Sequence, residues 1–445
     1  MIICIKRILF SICIFINPFL YNSYAQTPDQ KDNTVISLTL KQCIDYALVH
    51  QPTLQQSLQN VYITKATNAI NLSGFYPQVN GSASVTHYLQ QPRAISGNNV
   101  VQTGAINTSI PGVSVSQALF SPSLLYAYKS APLYVKEAEQ ATDSSKIELI
   151  SDVSKSFYNL LLTLQQINTL KADTIFLAQS IQDAYHQYIG GIVDETDQDN
   201  AIINLNNTLI QLKQATENVP PQYAALKQTM GYPPEKQFNV VYDSVQMINE
   251  VVIDTTEQLQ YEKRIEYKQL ATEQALQRQQ TSYYKSAFLP VVSAFFYYNY
   301  EFQNNTFSKL YSAAYPYSYL GVNLSIPLFT GFSRVQAVRR SKMFEKQLYW
   351  SELNLKSVIY SQYTSALASY KSSLYNLSVL EKNVDLSKKV FFIVGLQYKQ
   401  GIIPYLNVTN AQSNMVNSGI AYLNALFQLL SSKIDLEKAM GKISY

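Results

Sequence analysis

Charge is scarce in this sequence. Asp, Glu, Lys and Arg make up 14% of its 445 residues, against roughly 25% in an ordinary soluble domain. Histidine and cysteine each occur three times. His50, His87 and His186 stand far apart, and no H-E-x-x-H, C-x-x-C, G-x-S-x-G or P-loop run is present. The patterns that would place a metal, a redox dithiol, an activated serine or a nucleotide are therefore missing. No metal site, no cofactor and no enzymatic activity are expected; carboxylate neighbours such as Asp194-Glu195 sit in a polar turn. The formal net charge is only +4 and shrinks further without Lys6 and Arg7, which leaves no footprint for nucleic acid. Beyond residue 25, no stretch approaches the ~20 apolar residues of a spanning helix.

Residues 1–25 read as a signal peptide. Lys6 and Arg7 form a short positive region, Ile8 to Leu20 is mostly apolar, and Ser23–Ala25 ends in a small residue before Gln26. An N-terminal membrane anchor is the other reading, but the run is short for one. Cys4 and Cys13 fall inside this segment, and Cys13 has no lipobox before it. Cys43 is then the only cysteine left, so an intrachain disulfide is excluded.

What the chain does have is 35 Tyr, 19 Phe and an ordered placement of its 14 Gly and 16 Pro. Aromatic density with low charge suits a protein that meets lipid. Neither Gly nor Pro occurs between Leu133 and Ile189, or between Phe332 and Val394. Uninterrupted helices over those runs would approach 85–95 Å at ~1.5 Å per residue. Val153, Phe157, Leu160, Leu164 and Ile167 step by four and three, a heptad seam. Lys171 and Thr174 interrupt it before Ala178, Ile181, Tyr185 and Tyr188 resume.

Four other stretches alternate with period two: Pro77–Leu89, Ser109–Phe120, Pro290–Phe302 and Tyr317–Phe329. Each is long enough to cross a bilayer as a tilted strand, although strands of a soluble sheet would alternate as well. Polar connectors, Gln90–Thr108 and Gln303–Pro316, join them into two hairpins. The halves of the chain also match each other at an offset near 210. "QYIGGIVDETDQDNA" (187–201) is similar to "QYKQGIIPYLNVTNA" (397–411), and "LKQTMG" (226–231) to "LEKAMG" (436–441). The predicted order is helices at about 37–75, 122–189 and 195–231 with strands at 77–90 and 108–120. A connecting segment at 237–253 follows. The second half has helices at 255–288, 331–399 and 403–441 with strands at 290–302 and 317–329. Helix breaks recur at Gly190-Gly191 and at Gly401–Pro404, with Pro404 in the first turn of the returning helix.

This order, with its internal twofold repeat, resembles the TolC family of outer-membrane efflux proteins over nearly all of Ser37–Gly441. The pieces that carry the resemblance are "LTLKQCIDYALVHQPTLQQS" (38–57), "YPQV", "LFSPS", "IPLFTGFSR", the two tip sequences and the terminal "AMG". It implies a mixed α and transmembrane-β fold. Long antiparallel coiled-coil helices form a periplasmic α-barrel, and four strands per chain enter a trimeric twelve-stranded barrel in the outer membrane. It implies a homotrimer that meets outer-membrane lipid, a periplasmic adaptor and an inner-membrane pump. The implied role is a passive exit duct for drugs or other small molecules. A type I protein-secretion conduit, or an exported coiled-coil scaffold without channel activity, are the alternatives.

The resemblance also assigns the tips. Asn407 and Asn410 occupy positions where the family carries a ring of Asp at the periplasmic constriction, with Asp197 and Asn200 on the first repeat. Amides there would make the channel less cation-selective and less subject to divalent block than acids would. Tyr398 and Asp197 match the closed-state link, while Ile403 stands where the family has a basic residue. Gly190, Gly191, Gly401 and Pro404 form the turns where the adaptor would dock. The plainer readings are that Asp197 is a helix-start acid favoured by the dipole, and that the two asparagines belong to a solvated polar face.

Overall fold

The computed structural model describes residues 36–191, 194–241, 251, 253 and 257–444. The described residues open on strand β1 (Ile36–Leu38) and two helices, α1 (Leu40–His50) and α2 (Pro52–Leu72). Thr39 starts α1 with a reciprocal cap: its hydroxyl accepts from the Gln42 N–H, and Gln42 Oε1 accepts from the Thr39 N–H at 2.9 Å. The single helix expected over 37–75 is therefore a strand and two helices, broken at Gln51 (φ −65°, ψ 119°). Pro52 is the cause. Its ring drives the preceding residue out of helical geometry, while Pro itself fits the first helical position.

Strands β2 (Gln78–His87), β3 (Arg93–Ser96), β4 (Asn99–Gln102) and β5 (Asn107–Phe120) follow, then helices α3 (Pro122–Ile189) and α4 (Glu195–Met230) and strand β6 (Phe238–Val240). The second half comprises α5 (Ile265–Ser286), β7 (Val291–Asn304), β8 (Ala314–Ser325), α6 (Ser333–Lys399) and α7 (Tyr405–Met440). The signal segment 1–25 lies outside the described residues, as does most of the connector expected at 237–253. Within that connector, β6 pairs in parallel with β1, Ile36 opposite Phe238. Helix α5 begins at Ile265 rather than near 255. The residues before it hold Glu257, which pairs with Lys263 and Lys442, and a single 3-10 turn at Tyr261–Lys263.

One antiparallel sheet has the order β2-β5-β7-β8. The two sequence hairpins meet through β5 and β7, and β2 and β8 are left as open edges. Every residue of β2 is exposed, and all of β8 except Gly321. Tyrosine rings stack along the sheet, Tyr297 on Tyr319 at 5.0 Å and Tyr319 beside Tyr317 at 6.4 Å. The connector 90–108, expected as a plain polar loop, carries its own hairpin of β3 and β4. It closes through Gly97, at φ +63°, and Asn98, the two-residue turn that suits twisted strands.

Helices α3 and α6 have 68 and 67 residues, about 100 Å each at 1.5 Å per residue. Each is flanked along its length by shorter helices. α2 lies on the first half of α3, where Asn68 donates to the Ala131 carbonyl at 2.8 Å. α4 lies on the second half; α5 and α7 flank α6 in the same way. Among the described residues no helix is long and apolar enough to cross a membrane.

The main core sits at mid-height, where Cys43 and Ala47 of α1, Val153, Phe157 and Leu160 of α3, Leu226 and Met230 of α4, and Leu429 and Leu436 of α7 are buried together. Lys155 pairs with Asp435 at 2.5 Å and Lys438 with Glu148, tying α7 to α3. Gly231 ends α4 in the left-handed region at φ +67°, and a Cβ there would lie 2.7 Å from the His50 carbonyl. The neighbouring Gln51 side chain donates to the Gln228 and Thr229 carbonyls at 3.1 and 2.9 Å. The α1–α2 break thus caps the end of α4. Gly441 ends α7 at the same φ, 2.8 Å from the Lys263 carbonyl by the same measure.

Candidate functional site

The far ends of the α3–α4 and α6–α7 hairpins, opposite the sheet, gather the residues that the sequence singled out. Gly190 closes α3 with ordinary φ (−75°), and Gly191 turns the chain at φ +66°. Gly401 does so at φ +69°; its N–H donates to the Tyr398 carbonyl at 2.8 Å, and the Ile402 N–H to Gln397 at 3.0 Å. This is the left-handed helix end that glycine favours. No atom lies within 4 Å of a Cβ built on Gly191 or Gly401, so backbone geometry rather than crowding calls for glycine there. Pro404 is the extended residue before α7 (φ −72°, ψ 158°), one place ahead of the expected first turn, and Tyr405 begins the helix.

Tyr398 and Tyr405 are buried with Ala201 and Val408, their ring centres 5.5 Å apart. Asp197, half-buried in the first turn of α4, turns its carboxylate to the backbone N–H of Tyr405. An acid of one hairpin thereby occupies the N-terminus of the other hairpin's returning helix, where unpaired N–H groups favour negative charge. The hydrogen bond expected between Tyr398 and Asp197 is not formed in the chain. The α7 N–H takes the carboxylate instead, and the Tyr398 hydroxyl is buried without a hydrogen-bond partner. Burial pushes that hydroxyl up to about 12, helped by the charges of Asp197 and Asp183. Burial, and then Asp194, raise Asp197 above the ordinary carboxylate range against the Tyr405 N–H.

Asn407 and Asn410 lie on the exposed face of α7, and Asn414, Asn417 and Asn424 continue that face at heptad spacing. On α4, Asn200 and Asn204 are half-buried and Asn207 is exposed. Between Lys399 and Lys433 there is no charged residue. The returning helix of the second hairpin therefore presents an uncharged amide stripe from its tip upward. Among the described residues no group of three or more His, Cys, Asp or Glu could hold a metal ion.

Sequence reading missed a buried polar junction above the tip. Asp173 of α3 is 8% exposed. Gln412 of α7 donates to its Oδ1 at 2.5 Å and Thr208 of α4 to its Oδ2 at 3.1 Å. Burial raises the carboxyl above its usual range, against the pull of those two donors. A polar cavity of about 180 Å³ adjoins the junction; Asn204, Gln211 and Asn417 are among its lining residues, and Asp173 is the only ionisable one. The signal was present but misread. The buried stripe of α3 runs through Leu170, Asp173, Leu177, Ser180 and Ala184, one residue ahead of the resumed seam. Two successive steps of three, Ile167 to Leu170 to Asp173, shift the register.

Comparison with known proteins gives a consistent result. The profile of the outer membrane efflux protein family matches residues 43–232 and 261–442. In sequence, no curated protein matches the chain. Three solved structures are similar along its length. The Campylobacter jejuni CmeC outer membrane channel is 19% identical, with 91% of this chain and 85% of that one covered at a TM-score of 0.72. The outer membrane protein VceC of Vibrio cholerae is 15% identical, with 90% and 96% covered at 0.74. The open state of the Neisseria gonorrhoeae MtrE outer membrane channel is 16% identical, with 90% and 88% covered at 0.71.

Proposed function

The chain belongs to the outer membrane efflux protein family, and on that premise we propose that it is the exit duct of a tripartite efflux system. Three copies form one channel in the outer membrane. It receives small molecules or drugs from an inner-membrane pump through a periplasmic adaptor that docks at the tip turns, Gly190-Gly191 and Gly401–Pro404.

The observation that carries this reading is the sheet. Four strands end in two open edges, β2 and β8, at one end of helices several times a bilayer deep. Lipid does not tolerate unpaired backbone edges, and four strands cannot close on themselves. Pairing β8 of one chain with β2 of the next closes both edges, and three copies supply twelve strands. A duplicated ancestry supports the same picture: α3 and α6 differ by one residue, α4 and α7 both have 36, and Gly231 and Gly441 close them alike. In the assembled duct the returning helices α4 and α7 line the lumen. Asn407 and Asn410, with Asp197 and Asn200, form the constriction, and Tyr398 and Asp197 belong to the part that moves when it opens. Nothing in the chain matches a nucleotide-binding pattern, so the driving energy comes from the pump.

The test is single-channel conductance of the purified protein in planar bilayers beside an Asn407→Asp, Asn410→Asp variant. Discrete steps, with the variant gaining cation selectivity and block by divalent ions, are expected. Channels indifferent to the substitutions would move the constriction elsewhere, and a well-folded protein giving no channels would overturn the duct.

A further inference from the structure

Between α3 and α6, just short of the turns, runs a groove of about 750 Å³ floored by the first turn of α7. None of the exposed asparagines of α7 lines it. Its floor is Tyr398 and Tyr405, 8% and 1% exposed; the Tyr405 hydroxyl meets the Ser180 side chain, and the Tyr398 hydroxyl is buried without a hydrogen-bond partner. Buried hydroxyls are nearly always paired; the unpaired one of Tyr398 marks a place where a ligand can supply what the protein does not. The walls are aromatic, with Phe176 of α3 set edge-on to Phe391 of α6 at 5.0 Å. Asp183, an exposed residue of α3, lines the groove with one carboxylate oxygen taken by Gln179 at 3.0 Å. His186 and Lys399 also line the groove. The charges that reach the tyrosine floor are nonetheless negative: Asp183 and Asp197 both act on the Tyr398 and Tyr405 hydroxyls.

A carboxylate, two tyrosine oxygens and aromatic faces around a cavity of drug-like size are the elements that hold an ammonium on an apolar body. We propose that this groove is a binding site for an amphiphilic organic amine, with the ammonium between Asp183 and the two tyrosine hydroxyls and the apolar body against Phe176 and Phe391. A ligand so placed bridges α3 to α6 and to the start of α7. It wedges the two hairpins in one relative position from the side away from the amide stripe. The site belongs to the folded chain and does not rest on the channel reading, since binding is measured without conductance.

Equilibrium dialysis of the purified full-length protein in detergent against propranolol, a soluble naphthyl ether bearing a secondary amine, tests this. A detergent-only compartment corrects for partitioning into micelles. The neutral 1-naphthol and the anionic 1-naphthalenesulfonate serve as comparison ligands. Saturable binding of one propranolol per chain is expected, tighter than either comparison ligand. Asp183→Asn, at an exposed position, should weaken it by about tenfold. The Tyr398→Phe, Tyr405→Phe double variant keeps the rings and should weaken it by roughly fivefold. Uptake no greater than that of detergent alone, equal affinity in all three proteins, or preference for the sulfonate would each overturn the proposal.

Discussion

Gln412 donates its side-chain amide to the Asp173 carboxylate at 2.5 Å, across the boundary between the two helical hairpins, and both side chains are buried. With Thr208 on the other carboxylate oxygen, three helices meet at one ionisable group. Loss of one donor leaves a buried acceptor unsatisfied, which costs about 1–3 kcal/mol. Gln412→Leu should therefore destabilise the tip half of the molecule by that amount in chemical unfolding.

The same junction has a pH signature. The carboxyl of Asp173 is raised in the folded chain, chiefly by burial. The native state then holds a proton more tightly than the unfolded state does. The group's favourable contribution is full below its unfolded pKa of about 3.9 and is lost as pH rises through the folded value. Asp173→Asn removes that dependence. Thermal melts followed by helical circular dichroism should show the variant gaining on the wild type as pH climbs from about 4 towards neutrality. A constant difference across that range would mean that the acid is not held above its ordinary value.

Gly231 and Gly191 separate two reasons for glycine. Both have positive φ, but a Cβ at Gly231 would also meet the His50 carbonyl, whereas Gly191 faces open space. Gly191→Ala should cost about 1 kcal/mol from backbone geometry alone. Gly231→Ala should cost more, about 2–4 kcal/mol, because the neighbouring backbone of α1 has to move. Equal losses in denaturant titrations of the two variants would show that the close approach carries no weight.

Tyr370 of α6 pins the connection between the halves. Its hydroxyl donates to the Val251 carbonyl at 2.8 Å and accepts from the Ile253 N–H at 3.0 Å, with the ring 1% exposed. Tyr370→Phe strips both backbone groups of their partner, at about 1–3 kcal/mol each. Denaturant titration followed by helical circular dichroism should then show the variant less stable than the wild type by about that amount. An unchanged midpoint would show that the two hydrogen bonds carry no weight.

The features legible in the sequence were those that repeat. Long glycine-free runs gave away α3 and α6, and period-two alternation marked the strands, because both patterns persist over many residues and survive local exceptions. Single-residue devices were harder to read. The break at Gln51 hinges on one proline, and the β3–β4 hairpin on Gly97-Asn98 inside a stretch otherwise read as loop. At the tips, the turn glycines were legible from their conformational demand. The partners of the side chains were not. Asp197 chooses an N–H of the other hairpin over Tyr398, a choice made by tertiary placement. Asp173 escaped notice because a register shift of one residue moved it from the apparent polar face onto the buried stripe.

The matched lengths of the helices have a consequence for inheritance. α3 and α6, and α4 and α7, must reach the same level at the tip and return to the same level at mid-height. An insertion in one long helix would push its tip past its neighbour unless the other three grew by about the same rise, and whole heptads keep the buried seams in phase without a further register shift. Descendants of this chain thus lengthen with least disturbance in coordinated steps of about 10 Å. In a lineage its reach would behave as a ruler with coarse, widely spaced marks.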